Sequence, residues 1–250
     1  MARITAITIT KNNARDIGDC LDSLSFCDER IVVDSGSTDG TVEIARARGA
    51  TVAHQDWLGF GPQKNVALGM ARGDWILWLD ADERVTPALA MEIKRAVETG
   101  DAAGYEISRL STFCGRPMRH TGWHPDYVLR LFRRERGRWS DGAGHDRVIC
   151  DGAVKRIPGV IMHFAVRRLE DSIVRIDRYS TAGAQDLVAS GRRVRFWSGI
   201  THGLWMFFRV YVLQRGFLDG KAGFLLAVAN AEGTYYRYMK AWLARRHHHG

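Results

Sequence analysis

The stretch Trp75-Ile-Leu-Trp-Leu-Asp80-Ala-Asp82-Glu83 constrains this chain more than any other. Its five successive apolar residues, two of them tryptophan, describe a strand buried on both faces, as inside a parallel sheet covered by helices. The run stops at Asp80 and Asp82. A carboxylate withdrawn from water without a partner is costly, so two acids ending a buried strand call for a cation, a hydrogen-bond network or open solvent. Capping the next helix does not account for them. Thr86-Pro87 already supplies a cap and a first-turn proline for a helix over Pro87–Thr99. In open α/β sheets ligands collect at the carboxyl ends of strands. Two hard oxygen donors there suit Mg²⁺ or Mn²⁺ shared with a diphosphate.

The first hundred residues repeat the same grammar. Residues 4–9 form a short apolar run, and Ile17, Cys20, Leu21 and Leu24 follow at the spacing of one helix face. Residues 30–34 are a second buried strand that again ends in an acid, Asp34. The small residues of Ser35-Gly-Ser-Thr-Asp39-Gly make a turn into a helix over 41–48. A third strand over 49–53, a loop over 55–61 and a helix over 62–72 lead back to the central run. This alternation predicts an α/β fold with a doubly wound, mostly parallel sheet. Asp34 and Asp80 then lie at the carboxyl ends of two different strands and describe a polar cleft. No Gly-x-Gly-x-x-Gly follows the first strand and no phosphate-binding Gly-x-x-x-x-Gly-Lys-Ser/Thr occurs, which counts against dinucleotide and P-loop domains.

Charge narrows the partner. With 36 Lys+Arg against 28 Asp+Glu the chain carries +8, an excess that favours an anionic partner: nucleic acid, nucleotide, phosphorylated glycolipid or anionic membrane. Cys20, Cys27, Cys114 and Cys150 form no CxxC pair, so a zinc site or disulfide framework is not expected and a reducing cytoplasm is. Met1-Ala-Arg-Ile-Thr enters a strand at once, and the expectation is a protein without a cleavable export signal.

Four ordered segments carry a resemblance: Thr8-Ile-Thr-Lys-Asn12, Val32-Val-Asp-Ser-Gly-Ser-Thr-Asp-Gly-Thr41, Gly59-Phe-Gly-Pro-Gln-Lys-Asn65 and Leu79-Asp-Ala-Asp-Glu83. Together they resemble a family 2 glycosyltransferase of GT-A fold, most closely the branch that adds β-1,4-linked glucose to a heptose of the lipopolysaccharide core. Gly144-His-Asp146 and Arg215-Gly-Phe-Leu-Asp-Gly220 extend the resemblance over nearly the whole chain. It implies that Thr10, Asn12, Asp34 and Asp80 hold the nucleotide sugar, with Lys64 near the diphosphate. It also implies that Asp80 and Asp82 hold Mg²⁺ or Mn²⁺, with His163 completing the metal shell, and that Asp146 is the catalytic base. Members commonly carry two acids where this chain has Asp34-Ser35, Asn-Glu-Glu where it has Asn12-Asn13-Ala14, and His-Glu where it has His145-Asp146.

The second half has a different texture. Strands over 103–109 and 127–133 flank a loop over 112–125 rich in Gly, Arg, His and Trp, where Trp123 either stacks on a sugar or is simply buried. Arg130, Arg133, Arg134, Arg136 and Arg138 read as a solvated face or as contacts to acceptor phosphates. Residues 169–189 are helical. Residues 196–213 are rich in Trp, Phe, Leu and Val, but His202 and Arg209 interrupt them short of the ~20 apolar residues that span a bilayer. Interfacial attachment, or a helical hairpin packed on the catalytic domain, fits better.

The expected organisation is a GT-A catalytic domain over 1–165, with a nucleotide-binding half over 1–100 and an acceptor half over 101–165. A helical, membrane-associating region over 166–250 follows. The expected activity is inverting, metal-dependent transfer of a sugar, glucose from UDP-glucose, to a lipid-anchored oligosaccharide. It would take place on the inner, anionic face of the cytoplasmic membrane and involve no nucleic acid. A nucleotidyltransferase on an α/β sheet and a non-catalytic membrane adaptor are the rival readings.

Overall fold

The computed structural model describes residues 2–140 and 147–246. In chain order they form β1 (Ile4–Thr10), α1 (Ile17–Ser23), β2 (Glu29–Asp34), α2 (Thr41–Ala47), β3 (Thr51–His54), α3 (Phe60–Met70), β4 (Trp75–Trp78), β5 (Glu83–Val85) and α4 (Pro87–Thr99). Then come β6 (Gly104–Phe113), β7 (Arg116–Pro117), β8 (Asp126–Arg133), β9 (Gly137–Trp139), β10 (Val148–Cys150), β11 (Val154–Val166), α5 (Leu169–Ala189), α6 (Phe196–Phe208) and α7 (Gly220–Arg246). Two compact units result. One holds residues up to 109 with 126–163, the other 110–125 with residues from 164 on.

In the first unit the strand order is β3-β2-β1-β4-β8-β6-β11-β5. The four strands from β3 to β4 run parallel, each joined to the next in sequence through a helix. From β4 to β8 and from β8 to β6 the sheet turns antiparallel. The change has a local cause. After α4 the described residues of this unit form no further crossover helix, and strands joined by loops alone return antiparallel. β9 and β10 pair separately as a two-stranded ribbon.

β4 is the buried strand that the apolar run predicts. Trp75, Ile76, Leu77 and Leu79 are each at most 1% exposed. Successive side chains of a strand point to opposite faces, and the core divides accordingly. Trp75, Leu77 and Leu79 pack with Cys20 and Leu24 and with Leu89, Ile93 and Val97 of α4. Ile76 and Trp78 pack with Ala67 and Ala71 and with Phe132 and Trp139. Each fully buried aliphatic side chain contributes roughly 1.5–3 kcal/mol of transfer free energy. All four cysteines are free thiols, and burial pushes Cys20 and Cys27 up to about 12, so both stay neutral core residues.

The second unit is helical. Gly199 and Gly203, four residues apart on α6, let α7 approach closely. A Cβ at Gly199 would lie 2.7 Å from Met239 Cε, and one at Gly203 3.3 Å from the Ala231 carbonyl. The loop over 112–125 is pinned within this unit by Asp219, which accepts from His120 N at 2.8 Å and lies 3.0 Å from His120 Nδ1. Trp123 packs edge-on against Phe113, with ring centroids 6.3 Å apart. Among the described residues no helix is long and apolar enough to cross a membrane.

Candidate active site

The carboxyl edge of the parallel strands collects the polar residues. Thr10 and Asp34 end β1 and β2 as register partners. Ser35 N donates to the Thr10 carbonyl at 3.0 Å. Asp34 is 3% exposed and turned onto its own loop: Oδ2 accepts from Gly36 N and Ser37 N, each at 2.9 Å, and Oδ1 accepts from the Ser37 hydroxyl. Gly36 sits at φ +84°, a conformation that costs glycine little. Asn12, itself at φ 55°, accepts from Thr38 N at 2.9 Å. Asp39 accepts from Ala14 N at 3.0 Å and from the Thr41 hydroxyl, and that hydroxyl first of all holds its carboxyl below the ordinary range. Side-chain oxygens therefore knit the loops after β1 and β2 into one rim. Buried Gln63 supports it from below, donating to Ser35 Oγ and to the Gln55 carbonyl, each at 2.9 Å.

Asp80 stands just past β4 with its side chain 37% exposed. Lys64 Nζ, on α3, lies 3.7 Å from Oδ1, and Arg130 Nη2, on β8, lies 3.7 Å from Oδ2. Both cations also lie over the Trp78 ring, at 4.0 Å and 3.7 Å from its centroid. The ring is fixed by its own Nε1, which donates to the Leu129 carbonyl at 2.7 Å. Burial pushes the Asp80 carboxyl up, but Lys64, then Arg130, Arg109 and His163 pull harder the other way, so the group ends below its ordinary value and stays ionised.

Glu83 and Arg130 are both fully buried and hydrogen-bonded to each other. Glu83 Oε2 also accepts from Asp80 N at 2.9 Å, which fixes the loop that carries both Asp80 and Asp82. Burial pushes the Glu83 carboxyl above its ordinary range; Arg130 opposes this, and the Asp80 charge adds to it. Arg109, tied to Asp126 at 2.6 and 2.8 Å, is a second cation 3.7 Å from Glu83.

Asp82 pairs instead with His163, whose Nε2 lies 3.5 Å from Oδ2. Antiparallel pairing of β5 with β11, which sets His163 opposite Glu83, brings the histidine there. Carboxylate oxygen and imidazole nitrogen are donors that Mn²⁺ accepts. Among the described residues no three His, Cys, Asp or Glu side chains converge to hold a metal by themselves. A cation at Asp82 would complete its shell with oxygens from a ligand, the arrangement that suits a shared diphosphate.

Of the residues expected from the sequence, Thr10, Asn12 and Asp34 thus share one rim, Lys64 and Asp80 form an ion pair, and Asp82 meets His163. Asp146 lies outside the described residues. Glu83, Arg109 and Trp78 join the site beyond the residues assigned from sequence, and Arg130, read there as a solvated residue or an acceptor-phosphate contact, sits beside Asp80 and Glu83. A visible signal for Arg130 is its place inside the otherwise apolar run Val128-Leu-Arg-Leu-Phe132.

Comparison with known proteins agrees with this geometry. The family model described as glycosyl transferase family 2 matches residues 5–157, from β1 into β11. LpsC of Rhizobium meliloti (strain 1021), a lipopolysaccharide core biosynthesis glycosyltransferase, is 30% identical over 251 residues, covering 95% of this chain and 90% of that protein. An uncharacterized glycosyltransferase of Rickettsia prowazekii (strain Madrid E) is 28% identical, covering 96% of this chain and 87% of the relative. Among solved structures, the mannosyltransferase PcManGT from Pyrobaculum calidifontis, in complex with GDP-Man and Mn²⁺, shares the fold with a TM-score of 0.51 at 20% identity, covering 92% of this chain and 74% of that one. The ordered strand-end motifs, the parallel half-sheet they terminate and the matching family model make this chain a member of glycosyl transferase family 2, a glycosyltransferase of GT-A fold.

Proposed function

We propose that the protein transfers glucose from UDP-glucose, with inversion, to a lipopolysaccharide or lipooligosaccharide core acceptor, using Mg²⁺ or Mn²⁺. The observation that carries this reading is Asp80: an ionised carboxylate at the carboxyl edge of the sheet, flanked by Lys64 and Arg130. The name of the LpsC relative supports the acceptor class, and the Mn²⁺ and nucleotide sugar in PcManGT support the donor and metal classes. Thr10 and Asn12 border the nucleoside site, Asp34 shapes it through the Gly36–Ser37 loop that its carboxylate holds, and Lys64 meets the diphosphate. Asp80 and Asp82, with His163, hold the cation, which when bound offsets negative charge growing on the departing diphosphate. Asp146 accepts the proton of the acceptor hydroxyl as its oxygen bonds to the anomeric carbon and the bond to the diphosphate breaks. An assay of a UDP-sugar panel with Mn²⁺ and core oligosaccharide tests this. UDP release should be fastest from UDP-glucose, and Asp146→Asn should lose transfer while binding UDP-glucose as the wild type does. No release from any UDP-sugar sinks the donor assignment, and normal turnover by Asp146→Asn removes the base.

The same reading places the enzyme on the inner, anionic face of the cytoplasmic membrane. The second unit exposes Trp197, Leu204 and Trp205 on α6 at 67%, 68% and 54%, beside exposed Arg192, Arg193, Arg195 and Arg209. Each Lys or Arg near such a surface contributes on the order of 1 kcal/mol, a part that salt screens, whereas apolar insertion persists in salt. The full chain should co-sediment with vesicles containing phosphatidylglycerol and be released only partly by high salt. The triple variant Trp197→Glu, Leu204→Glu, Trp205→Glu should bind weakly even at low salt. Wild-type protein that stays in the supernatant at low salt refutes membrane docking.

A further inference from the structure

We infer that the groove between α5 and α7 is a binding site for a phosphate-bearing amphiphile, an anionic head joined to an acyl chain. The inference stands apart from the donor, the metal and the transfer reaction, because every residue it uses belongs to the second unit.

The groove encloses about 320 Å³, near the lower end of the volumes typical of small-molecule sites. It exists because the facing positions of two long helices are small. α5 turns Ser172 and Ser180 toward it, and α7 turns Ala229 and Gly233. A Cβ built on Gly233 has only Ile176 within reach, at 3.9 Å, so the seam is open there rather than tightly packed. Phe113, Trp123 and Leu226 make an apolar wall.

The charge in the groove is one-sided. Arg175 and Arg237 line it, and among the described residues no acidic one does. Arg237 Nε is buried and meets no hydrogen-bond acceptor among the described residues. Its aliphatic stem lies against α5 where only a glycine leaves room: a Cβ at Gly183 would come within 2.6 Å of Arg237 Cδ. Three other polar groups of the lining have partners within the fold, Asn230 Nδ2 donating to the Leu226 carbonyl at 2.8 Å. Ser180 Oγ donates to the Asp177 carbonyl at 3.0 Å and Thr234 Oγ1 to the Asn230 carbonyl at 2.9 Å. The nearby Asp177 carboxylate is already paired with Lys240 at 2.6 Å. The charged groups of the groove are thus a pair of guanidiniums beside an aromatic and aliphatic wall. Guanidinium forks match phosphate oxygens. A free phosphate would leave the apolar wall unused, and a neutral chain would leave the guanidinium charge uncompensated. A molecule that joins the two chemistries satisfies both.

Titration calorimetry of the full chain with decyl phosphate below its micellar concentration tests the assignment, with inorganic phosphate and decyl maltoside as the two half-ligands. Decyl phosphate should bind saturably, and each half-ligand at least tenfold more weakly. Arg175→Gln and Arg237→Gln should each weaken decyl phosphate binding at least tenfold. Gly233→Leu keeps both arginines and fills the groove, so it should also weaken binding tenfold while the melting temperature of the free protein stays near wild type. Equal binding of inorganic phosphate would make this a simple anion site and overturn the proposal, as would equal binding of decyl maltoside. Wild-type affinity in a folded Gly233→Leu protein would place the amphiphile elsewhere and overturn it too.

Discussion

Replacing Asp80 by asparagine is expected to cut sugar transfer by at least about a hundredfold, equivalent to about 2.7 kcal/mol of barrier, with the fold retained. The amide keeps the shape of the side chain but removes the charge that Lys64 and Arg130 flank at 3.7 Å each. Asp82→Asn should act in the same direction, because it removes the carboxylate that meets His163. Chelation of the wild type should reproduce both losses, since one bound cation is proposed to depend on both carboxylates. Steady-state kinetics on purified protein, with circular dichroism to confirm folding, is the measurement. Undiminished activity in excess EDTA, or an effect of only twofold in either variant, sinks the metal assignment. The electrostatics add a pH signature. The Asp80 pKa is lowered, so its stabilising contribution is fully present above the ordinary 3.8 and is lost only as pH falls through the lower folded value.

Much of this architecture was legible in the chain. The apolar run before Asp80 identified a strand buried on both faces, and β4 is that strand, with its alternate residues packed into two different core clusters. The helix over Pro87–Thr99 was readable to the residue because its cap is chemical: the Thr86 hydroxyl accepts from Leu89 N. Strand direction beyond β4 was harder to see. It depends on which connections carry helices, and neither β5 nor the full length of β11 stands out in local composition. The arginine-rich span hid its most important member for a related reason. Charge runs normally mark solvated faces, but a strand alternates its faces residue by residue. Arg130 lies fully buried on Glu83 because β8 is an interior strand, whereas Arg134 and Arg136, just past the strand, are exposed. Local periodicity reports how a residue is patterned. It does not report the long-range partner, 47 positions away in this case, that makes burying a charge tolerable.

That buried pair supports the second large effect. Arg130 and Glu83 have no side-chain exposure at all, and Glu83 in turn holds the Asp80 amide at 2.9 Å. Arg130→Met keeps much of the volume and the contact with Trp78 but strands a carboxylate in the core, with Arg109 as its remaining cation at 3.7 Å. Breaking a buried pair from one side typically costs about 3–5 kcal/mol, a fall in melting temperature of roughly 6–20 °C at about 2–4 °C per kcal/mol. The pH dependence has a definite sign. Burial already raises the Glu83 pKa, and losing Arg130 raises it further. Between the unfolded value of 4.5 and the higher folded one, the native state holds a proton that the unfolded chain has released, so stability of the variant should fall as pH rises through that window. The gap from wild type should accordingly narrow toward pH 4.5. Adding Glu83→Gln to Arg130→Met removes the stranded charge and should restore most of the loss, a coupling that a double-mutant cycle reads directly. A melting temperature within 2 °C of wild type for Arg130→Met, unchanged between pH 5 and pH 8, would show that the pair does not hold the Asp80 loop.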